Sequence, residues 1–250
     1  MHNKTLEKVI NEKLRSNSLE DYAPNGLQVE GREEIHRIVT GVTACQALLE
    51  SAITYCADAV IVHHGFFWKN ESQIISGMKR QRLKMLLAND INLYAWHIPL
   101  DIHMEIGNNA QLAKDLNIKV KKKLNSPFVF FGTLEQPISG NNLRVLLEKR
   151  LGRHVLHSWN NKSPKKISEV AWCTGAGQNL IELAVLAGGI DAFITGEVSE
   201  KTIHVAREEC LHFYAAGHHA TERGGVRALG NWLRDEHGLD TNFIDIPNPA

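Results

Sequence analysis

The chain has 250 residues, and 28 Lys and Arg side chains balance 28 Asp and Glu side chains, so the net charge is zero with neutral histidine. This length allows one large domain or two smaller ones. The balanced charge argues against extended binding to nucleic acid or anionic membranes, and no apolar run approaches the roughly 18–20 residues that a membrane span needs.

The N-terminal stretch is polar and lacks the apolar region of a signal peptide. The four cysteines have no CxxC spacing, which favours reduced thiols in a cytosolic protein. The sequence therefore predicts a cytoplasmic location and no membrane partner.

Strand and helix patterns alternate along the first half of the chain. The apolar residues of the first stretch repeat at helical spacing: Leu6, Val9, Ile10 and Leu14. They predict a helix over 4–16. After a turn-rich loop over 21–26, the predicted elements are a strand over 35–40, a helix over 46–55, a strand ending at His63 and His64, a helix over 78–87 and a strand over 91–96. This alternation predicts an α/β layered fold.

The stretch 59–65 joins an apolar run to two adjacent histidines and a glycine. Such a run is typical of a buried strand, and ligands gather at the carboxyl ends of strands in α/β sheets. Neighbouring strand side chains point to opposite faces, so both imidazoles reach one site only if the chain bends, and Gly65 permits a bend. We interpret His63 and His64 as metal ligands.

The second half begins after a basic run over 119–123, which we interpret as an exposed, solvated segment near a boundary. A helix over 143–151 and a polar loop over 160–166 follow. The predicted organisation is a first α/β half over 1–125, a second α/β half over 126–214, and a C-terminal segment over 215–250 that returns to the first half.

The second half repeats the order of the first. Thr40-Gly41 is matched by Thr174-Gly175, and Asp58-Ala59 is matched by Asp191-Ala192. The offset between matched positions stays between 132 and 134. Strand, turn, helix, Asp-Ala and strand recur in that order, which predicts two interlocked halves produced by an internal duplication, with mixed sheets flanked by helices.

Each copy also ends in the same polar pattern. A strand over 93–96 leads to His97 and, four residues later, Asp101, while a strand over 212–216 leads to His218 and Glu222. A helix that starts near His219 would bring His218 and Glu222 together. Pro99 leaves two alternatives for Asp101, which lies either on a bend or at a helix start.

Together the candidate ligands form a mixed nitrogen and oxygen set: His63, His64, Asp101, His218 and Glu222. The set contains no cysteine, which argues against a closed structural zinc site, and it suits Zn, Fe, Mn, Co or Ni. Five ligands exceed what one catalytic zinc takes from a protein. Two divalent metal ions about 3.5–4 Å apart would use them all.

The remaining polar residues near the predicted site are candidates for catalysis. Glu197 and His97, and also His219, are candidates to orient the ligands or to carry protons. His97 could itself be a ligand, and a histidine at a strand end is often only a structural group. Glu197 lies in Thr195-Gly196-Glu197, which is either a helix-capping turn or a source of a carboxylate in the same cleft.

Five short motifs resemble the GTP cyclohydrolase type 2 homologue family. They are Asn25-Gly26-Leu27-Gln28-Val29, Val62-His63-His64-Gly65, His97-x-x-Leu100-Asp101, Thr195-Gly196-Glu197 and Gly217-His218-x-x-x-Glu222. The resemblance runs from near residue 5 to the C-terminus. It implies two interlocked α/β halves, a dinuclear metal centre and a toroidal homohexamer, with His63, His64, Asp101, His218 and Glu222 as metal ligands.

The predicted function is metal-dependent hydrolysis by a metal-bound hydroxide, at the junction of the halves. The substrate class is a nucleotide or a cyclic amide. The resemblance adds GTP cyclohydrolase-type ring opening or the breakdown of damaged nucleotides, with a link to DNA damage. The alternative is a ring-shaped metal-binding or interaction protein without turnover.

Overall fold

The computed structural model describes residues 1–16 and 20–250. The chain forms two compact units. The first comprises Met1–Gly107 and Gly225–Pro247, and the second comprises Asn108–Gly224 and Asn248–Ala250.

Helices occur throughout both units. In chain order they are α1 Asn3–Leu14, α2 Gln46–Thr54, α3 Gly77–Ala88, α4 Ile98–Ile102, α5 Asn108–Asp115, α6 Gly140–Leu151, α7 Ile181–Ala187, α8 Glu200–Glu208 and α9 His218–His237. These agree with each helix predicted from periodicity. None of the helices in 1–16 or 20–250 has both the length and the apolar character needed to cross a bilayer.

The strands fall into two sheets, one in each unit. In chain order they are β1 Gly26–Val29, β2 Arg37–Thr43, β3 Ala59–His64, β4 Asn92–Ala95, β5 Ile118–Lys123, β6 Phe130–Ile138, β7 Leu156–Ser158, β8 Ile167–Cys173, β9 Ala192–Thr195, β10 His212–Ala215 and β11 Asp240–Phe243. Both sheets are mixed, as predicted, and the α/β class is confirmed.

The sheet of the first unit has the order β1-β4-β3-β2-β11. Strands β11, β2, β3 and β4 run parallel to one another, and β1 is antiparallel to β4. Both faces of β3 are covered: Val60 and Val62 pack in a cluster with Leu48 of α2, while Ile61 packs with Leu229 of α9. A strand buried on both faces requires a continuous apolar run, which explains the sequence of β3.

The sheet of the second unit has the order β5-β6-β8-β9-β10-β7. Strands β8, β9 and β10 are parallel, and the outer strands are antiparallel to their neighbours. Ile194 faces one cluster with Trp172 and Leu143, and Phe193 faces the other with Ile181. This unit therefore repeats the three parallel strands and two connecting helices of the first unit.

Matched hydrogen bonds support the predicted duplication. Asp58 Oδ2 accepts from the backbone N–H groups of His36 and Arg37, each at 2.8 Å. Asp191 Oδ2 accepts from those of Ser168 and Glu169 at 2.8 and 2.9 Å. In each unit the aspartate before the second parallel strand thus binds the start of the first. The repeated Asp-Ala pair is explained by this contact between strands.

Replacement of Asp58 by Ala is expected to lower the free energy of unfolding by about 2 kcal/mol, because buried backbone donors lose their acceptor. Asp58 is 5% exposed and also accepts from Arg32 at 3.0 Å. Urea unfolding followed by circular dichroism would measure the change. The exposed Asp235, on α9, provides the control substitution Asp235→Ala. Equal midpoints for the two variants would contradict the assigned role.

The compact units divide at other residues than the predicted halves, which stay a prediction. The chain passes from the first unit to the second at 107/108, and the basic run forms β5, which pairs with β6 along the edge of the second sheet. The second crossing lies at 224/225, so the returning part of α9 begins after His218 and Glu222. Gly224 is favoured within this helix, because a Cβ there would lie 2.6 Å from the Cβ of Gln111 and overlap with it.

Candidate metal centre

The first unit presents a histidine pair at the carboxyl end of β3. His63 is fully buried, and its Nδ1 lies 3.0 Å from the carbonyl oxygen of Trp96. Because a carbonyl oxygen only accepts hydrogen bonds, Nδ1 carries the proton and Nε2 carries the lone pair. This tautomer presents Nε2 as the ligand nitrogen.

Asp101 is positioned beside that nitrogen. It lies in the first turn of α4, so the helix start rather than a bend places it. The distance from His63 Nε2 to Asp101 Oδ1 is 3.4 Å. Two ligands about 2.1 Å from one ion are roughly 3.4 Å apart at the tetrahedral angle. The two atoms therefore have the spacing of neighbouring ligands of one divalent metal.

His64 and His97 extend this set. His63, His64 and His97 each offer a ring nitrogen, and these three nitrogens lie within 4.8 Å of one another. The rings of His63 and His64 are 4.5 Å apart, although adjacent strand side chains start toward opposite faces. The next residue, Gly65, allows the chain after β3 to pack closely against β4, since a Cβ at this position would lie 2.6 Å from the Cβ of Ala95.

Asp21 orients His97. Asp21 Oδ1 lies 2.7 Å from His97 Nδ1, and Oδ2 accepts from the backbone N–H of Ile98 at 2.9 Å. Burial raises the pKa of Asp21, but the hydrogen bond and charge of His97, with bonds from Asn25 and Ile98, outweigh it and lower this pKa. The sequence predicts a turn over 21–26, and the predicted site residues do not include Asp21. A turn carries no periodic pattern that marks a functional carboxylate.

The second unit holds a matching set at the start of α9. His218 Nε2 lies 3.1 Å from Glu222 Oε2, and Glu222 is 3% exposed. His218 Nδ1 lies 2.7 Å from Glu197 Oε1, and Glu197 Oε2 accepts from Gln178 Nε2 at 3.0 Å. A carboxylate on Nδ1 directs Nε2 outward as a ligand, as in many metal sites. The 3.1 Å separation is near the roughly 3.0 Å expected for ligands at a right angle on one ion.

The two carboxylates determine the protonation of His218. The hydrogen bond to Glu222 raises the pKa of the imidazole and burial lowers it. The charge of Glu222 and the hydrogen bond and charge of Glu197 raise it further, to about 9.

A glycine permits the close approach of Glu222 to the chain. Gly175 has φ +67°, and a Cβ there would overlap with the Glu222 carboxylate. The backbone N–H of Gly175 donates to Thr221 Oγ1 at 3.0 Å. The second glycine of the sequence repeat is therefore required beside a candidate ligand.

The same arrangement occurs once in each unit. A histidine follows the third parallel strand, a carboxylate binds its Nδ1, and a second carboxylate lies four residues further on. In the first unit the residues are His97, Asp21 and Asp101, and in the second they are His218, Glu197 and Glu222. Thus Glu197, expected either in a cap or beside the site, contacts a candidate ligand. His219 is 9% exposed on α9.

The fold and these side-chain sets define the class: a two-unit α/β protein in which each unit carries candidate divalent-metal ligands. The chain belongs to the Duf34/NIF3 (NGG1p interacting factor 3) family, whose model matches residues 1–249. Its resemblance to GTP cyclohydrolase type 2 homologues is confirmed.

Named relatives and solved structures agree with this assignment. A protein of Escherichia coli strain K12 named GTP cyclohydrolase 1 type 2 homolog is 61% identical over the whole of both chains. A solved structure described as protein ybgI, of unknown function, is 61% identical, with a TM-score of 0.98 and full coverage of both chains. TTHA1606 from Thermus thermophilus is 30% identical, with a TM-score of 0.88 and full coverage of both chains.

Proposed function

We propose that the chain is a dinuclear metal-dependent hydrolase. The proposed ligands are His63, His64, Asp101, His218 and Glu222. The observation that carries the proposal is the orientation of His63 and His218, whose Nδ1 atoms are held by an oxygen so that Nε2 lies beside a carboxylate in each unit. Buried imidazole and carboxylate donors of this kind suit Zn, Fe, Mn, Co or Ni.

Two bound divalent metals would supply Lewis acidity and an activated water. Glu197 and Asp21 hold the imidazoles of His218 and His97 in fixed orientations. Glu197 can also accept a proton and pass it on, since its Oε2 is held by a neutral amide donor, Gln178. We assign His97 either the same proton-carrying role or the role of a further metal ligand. A ring nitrogen of His97 lies within 4.8 Å of ring nitrogens of His63 and His64, which is compatible with both roles.

The proposed substrates are nucleotides and cyclic amides, whose carbonyl, imine or phosphoryl groups such a centre would polarise. The name of the relatives, GTP cyclohydrolase 1 type 2 homolog, supports ring opening of this kind. A homohexameric ring and a role in clearing damaged nucleotides are proposals that rest on the family resemblance. The proposed cytoplasmic location rests on the cysteine spacing and the polar N-terminal stretch.

The direct test is a hydrolysis screen. Protein loaded separately with Zn, Fe, Mn, Co and Ni would be incubated with nucleoside triphosphates, phosphodiesters and cyclic amides, with chelator-treated protein as control. We expect metal-dependent turnover of at least one class. Absence of turnover with every metal would contradict the hydrolase and leave the alternative, a metal-binding protein without turnover.

Metal binding is expected to release a proton from His218 at neutral pH. Only the neutral imidazole binds a metal, and the pKa of His218 is raised to about 9. Below pH 9 the apparent affinity should therefore rise with pH, and above pH 9 this contribution should vanish because the proton is already lost. Calorimetric titration with Zn²⁺ at pH 7.5 in buffers of different ionisation enthalpy would measure the release. An enthalpy that is the same in all buffers would contradict it.

A further inference from the structure

The second unit contains a cavity of about 570 Å³ that the metal ligands do not line. Its lining comes from the start of α6, from β7 and the residues after it, and from His212 at the start of β10. Small-ligand sites commonly measure about 300–1,000 Å³. The cavity therefore has the size of a binding site for a small molecule.

Two histidines form a hydrogen-bonded chain in its wall. His212 Nε2 lies 2.9 Å from the carbonyl oxygen of Pro164, and His212 Nδ1 lies 2.9 Å from His157 Nε2. The carbonyl only accepts, so in the uncharged pair His212 donates to Pro164 and His157 donates to His212. Burial lowers the pKa of His157, and the nearby His212 and Arg144 lower it further, to about 4. These two hydrogen bonds fix the plane of the His157 ring.

That ring is the middle member of an aromatic stack. His157 is 4.4 Å from Tyr214 with 9° between the planes, and 4.4 Å from Trp159 with 22° between the planes. His157 and Trp159 are two residues apart at the end of β7, so their side chains leave the strand on the same side. Trp159 is 53% exposed. An orientated, half-exposed indole thus ends the stack at the cavity.

The first turn of α6 packs tightly on the histidine pair. A Cβ at Gly140 would lie 2.5 Å from His212 Cε1 and 3.0 Å from His157 Cε1. Tyr214 also donates to the carbonyl oxygen of Gly140 at 2.8 Å. The residues that hold the stack are therefore themselves fixed by the helix.

The charged side chains that line the cavity, all within the described residues, are basic. Arg144 is balanced by Glu148 at 2.8 Å, so the exposed Lys165 supplies the net positive charge of the lining. In a chain with zero net charge, this local excess favours an anionic ligand. The indole favours a planar ring, because bases and other heterocycles stack on aromatic side chains.

We propose that this cavity is a second small-molecule site that binds a mononucleotide-like ligand, with its heteroaromatic ring on Trp159 and its phosphate near Lys165. The site acts independently of the proposed metal centre. The hydrogen bonds of the His157–His212 pair hold the stack of Tyr214, His157 and Trp159 in place.

Isothermal titration with adenosine 5′-monophosphate tests the proposal. Trp159→Ala should raise the dissociation constant roughly 5- to 150-fold, the factor that corresponds to losing one base–aromatic stack. Trp159→Phe keeps an aromatic face, so its dissociation constant should stay near that of the wild-type protein. Lys165→Ala should weaken binding about two- to fivefold, as for an exposed ion pair.

Matched controls come from the same region. Leu156→Ala removes an exposed apolar side chain from β7 outside the cavity lining, and Lys166→Ala removes the adjacent exposed lysine. Both should bind as the unchanged chain does, and thermal unfolding would verify that every variant folds. Adenosine and ribose 5-phosphate, which each lack one half of the probe, should bind more weakly than the whole nucleotide.

Several results would overturn the proposal. These are no heat with adenosine 5′-monophosphate, the same affinity for Trp159→Ala and Leu156→Ala, or equal affinity for ribose 5-phosphate and the nucleotide. Binding that is lost on chelator treatment but kept in Trp159→Ala would assign the nucleotide to the metal centre instead. Binding that survives chelator treatment and fails in Trp159→Ala would support the second site.

Discussion

Replacement of His63 by Ala, or of Glu222 by Gln, is expected to weaken divalent-metal binding on the order of 100-fold. A four-ligand structural zinc site is worth about 10–16 kcal/mol, so one ligand contributes on the order of 3 kcal/mol, which corresponds to that factor. His63 belongs to the first unit and Glu222 to the second. Because each residue is a proposed metal ligand, either substitution should lower the metal content below two ions per chain.

Elemental analysis after dialysis against a defined metal concentration would measure the content. His36→Ala in the first unit and Glu208→Gln in the second are suitable controls, since both side chains are exposed. They should retain the metal content of the unchanged chain. Two ions per chain in either ligand variant would contradict the assignment of that residue.

The second large effect is expected at Glu197. At saturating metal, Glu197→Gln should lower kcat about 10²- to 10⁴-fold if the carboxylate carries a proton. Glutamine keeps an oxygen that can accept from His218 Nδ1, so the orientation of His218 should survive and metal should still bind. A loss of turnover with metal retained separates an enzyme from a metal-binding protein, which would change little.

The pH dependence of turnover provides the readout that a purely structural role would not alter. The proton carried by Glu197 in the unchanged chain should produce one limb of the pH–rate profile, and Glu197→Gln should lack that limb. His97→Gln tests the same role in the first unit. Glu200→Gln, an exposed glutamate at the start of α8, is the control. Full turnover of Glu197→Gln at saturating metal would rule out proton transfer by this carboxylate.

Local patterns were sufficient to predict most of the fold. The β-branched run of β3 and the helical spacing of α1 fixed the elements, because burial on both strand faces or on one helical face leaves a periodic trace. The duplication was also visible, because Asp58 and Asp191 make the same contacts between strands in each unit. The basic run was interpreted as an exposed segment near a boundary and forms β5, since a lysine-rich edge strand has the composition of an exposed linker.

The residues of the candidate site were also predicted only in part. His97, Asp101, His218 and Glu222 were predicted from a repeated spacing, and the structure places each pair at a helix start. Asp21 was missed because its contact with His97 joins positions 76 residues apart. Gln178, which donates to Glu197, was not among the predicted site residues.

The sequence by itself determined the α/β class, the duplicated order of elements, and which imidazoles and carboxylates follow the strands. Each of these depends on neighbours within a few residues, so it is written as periodicity or spacing. Only the tertiary structure decided which oxygen holds each imidazole, where the units divide, and that His157, Trp159 and Tyr214 stack beside a cavity. These contacts depend on strand pairing and packing between distant segments, which leave no local pattern.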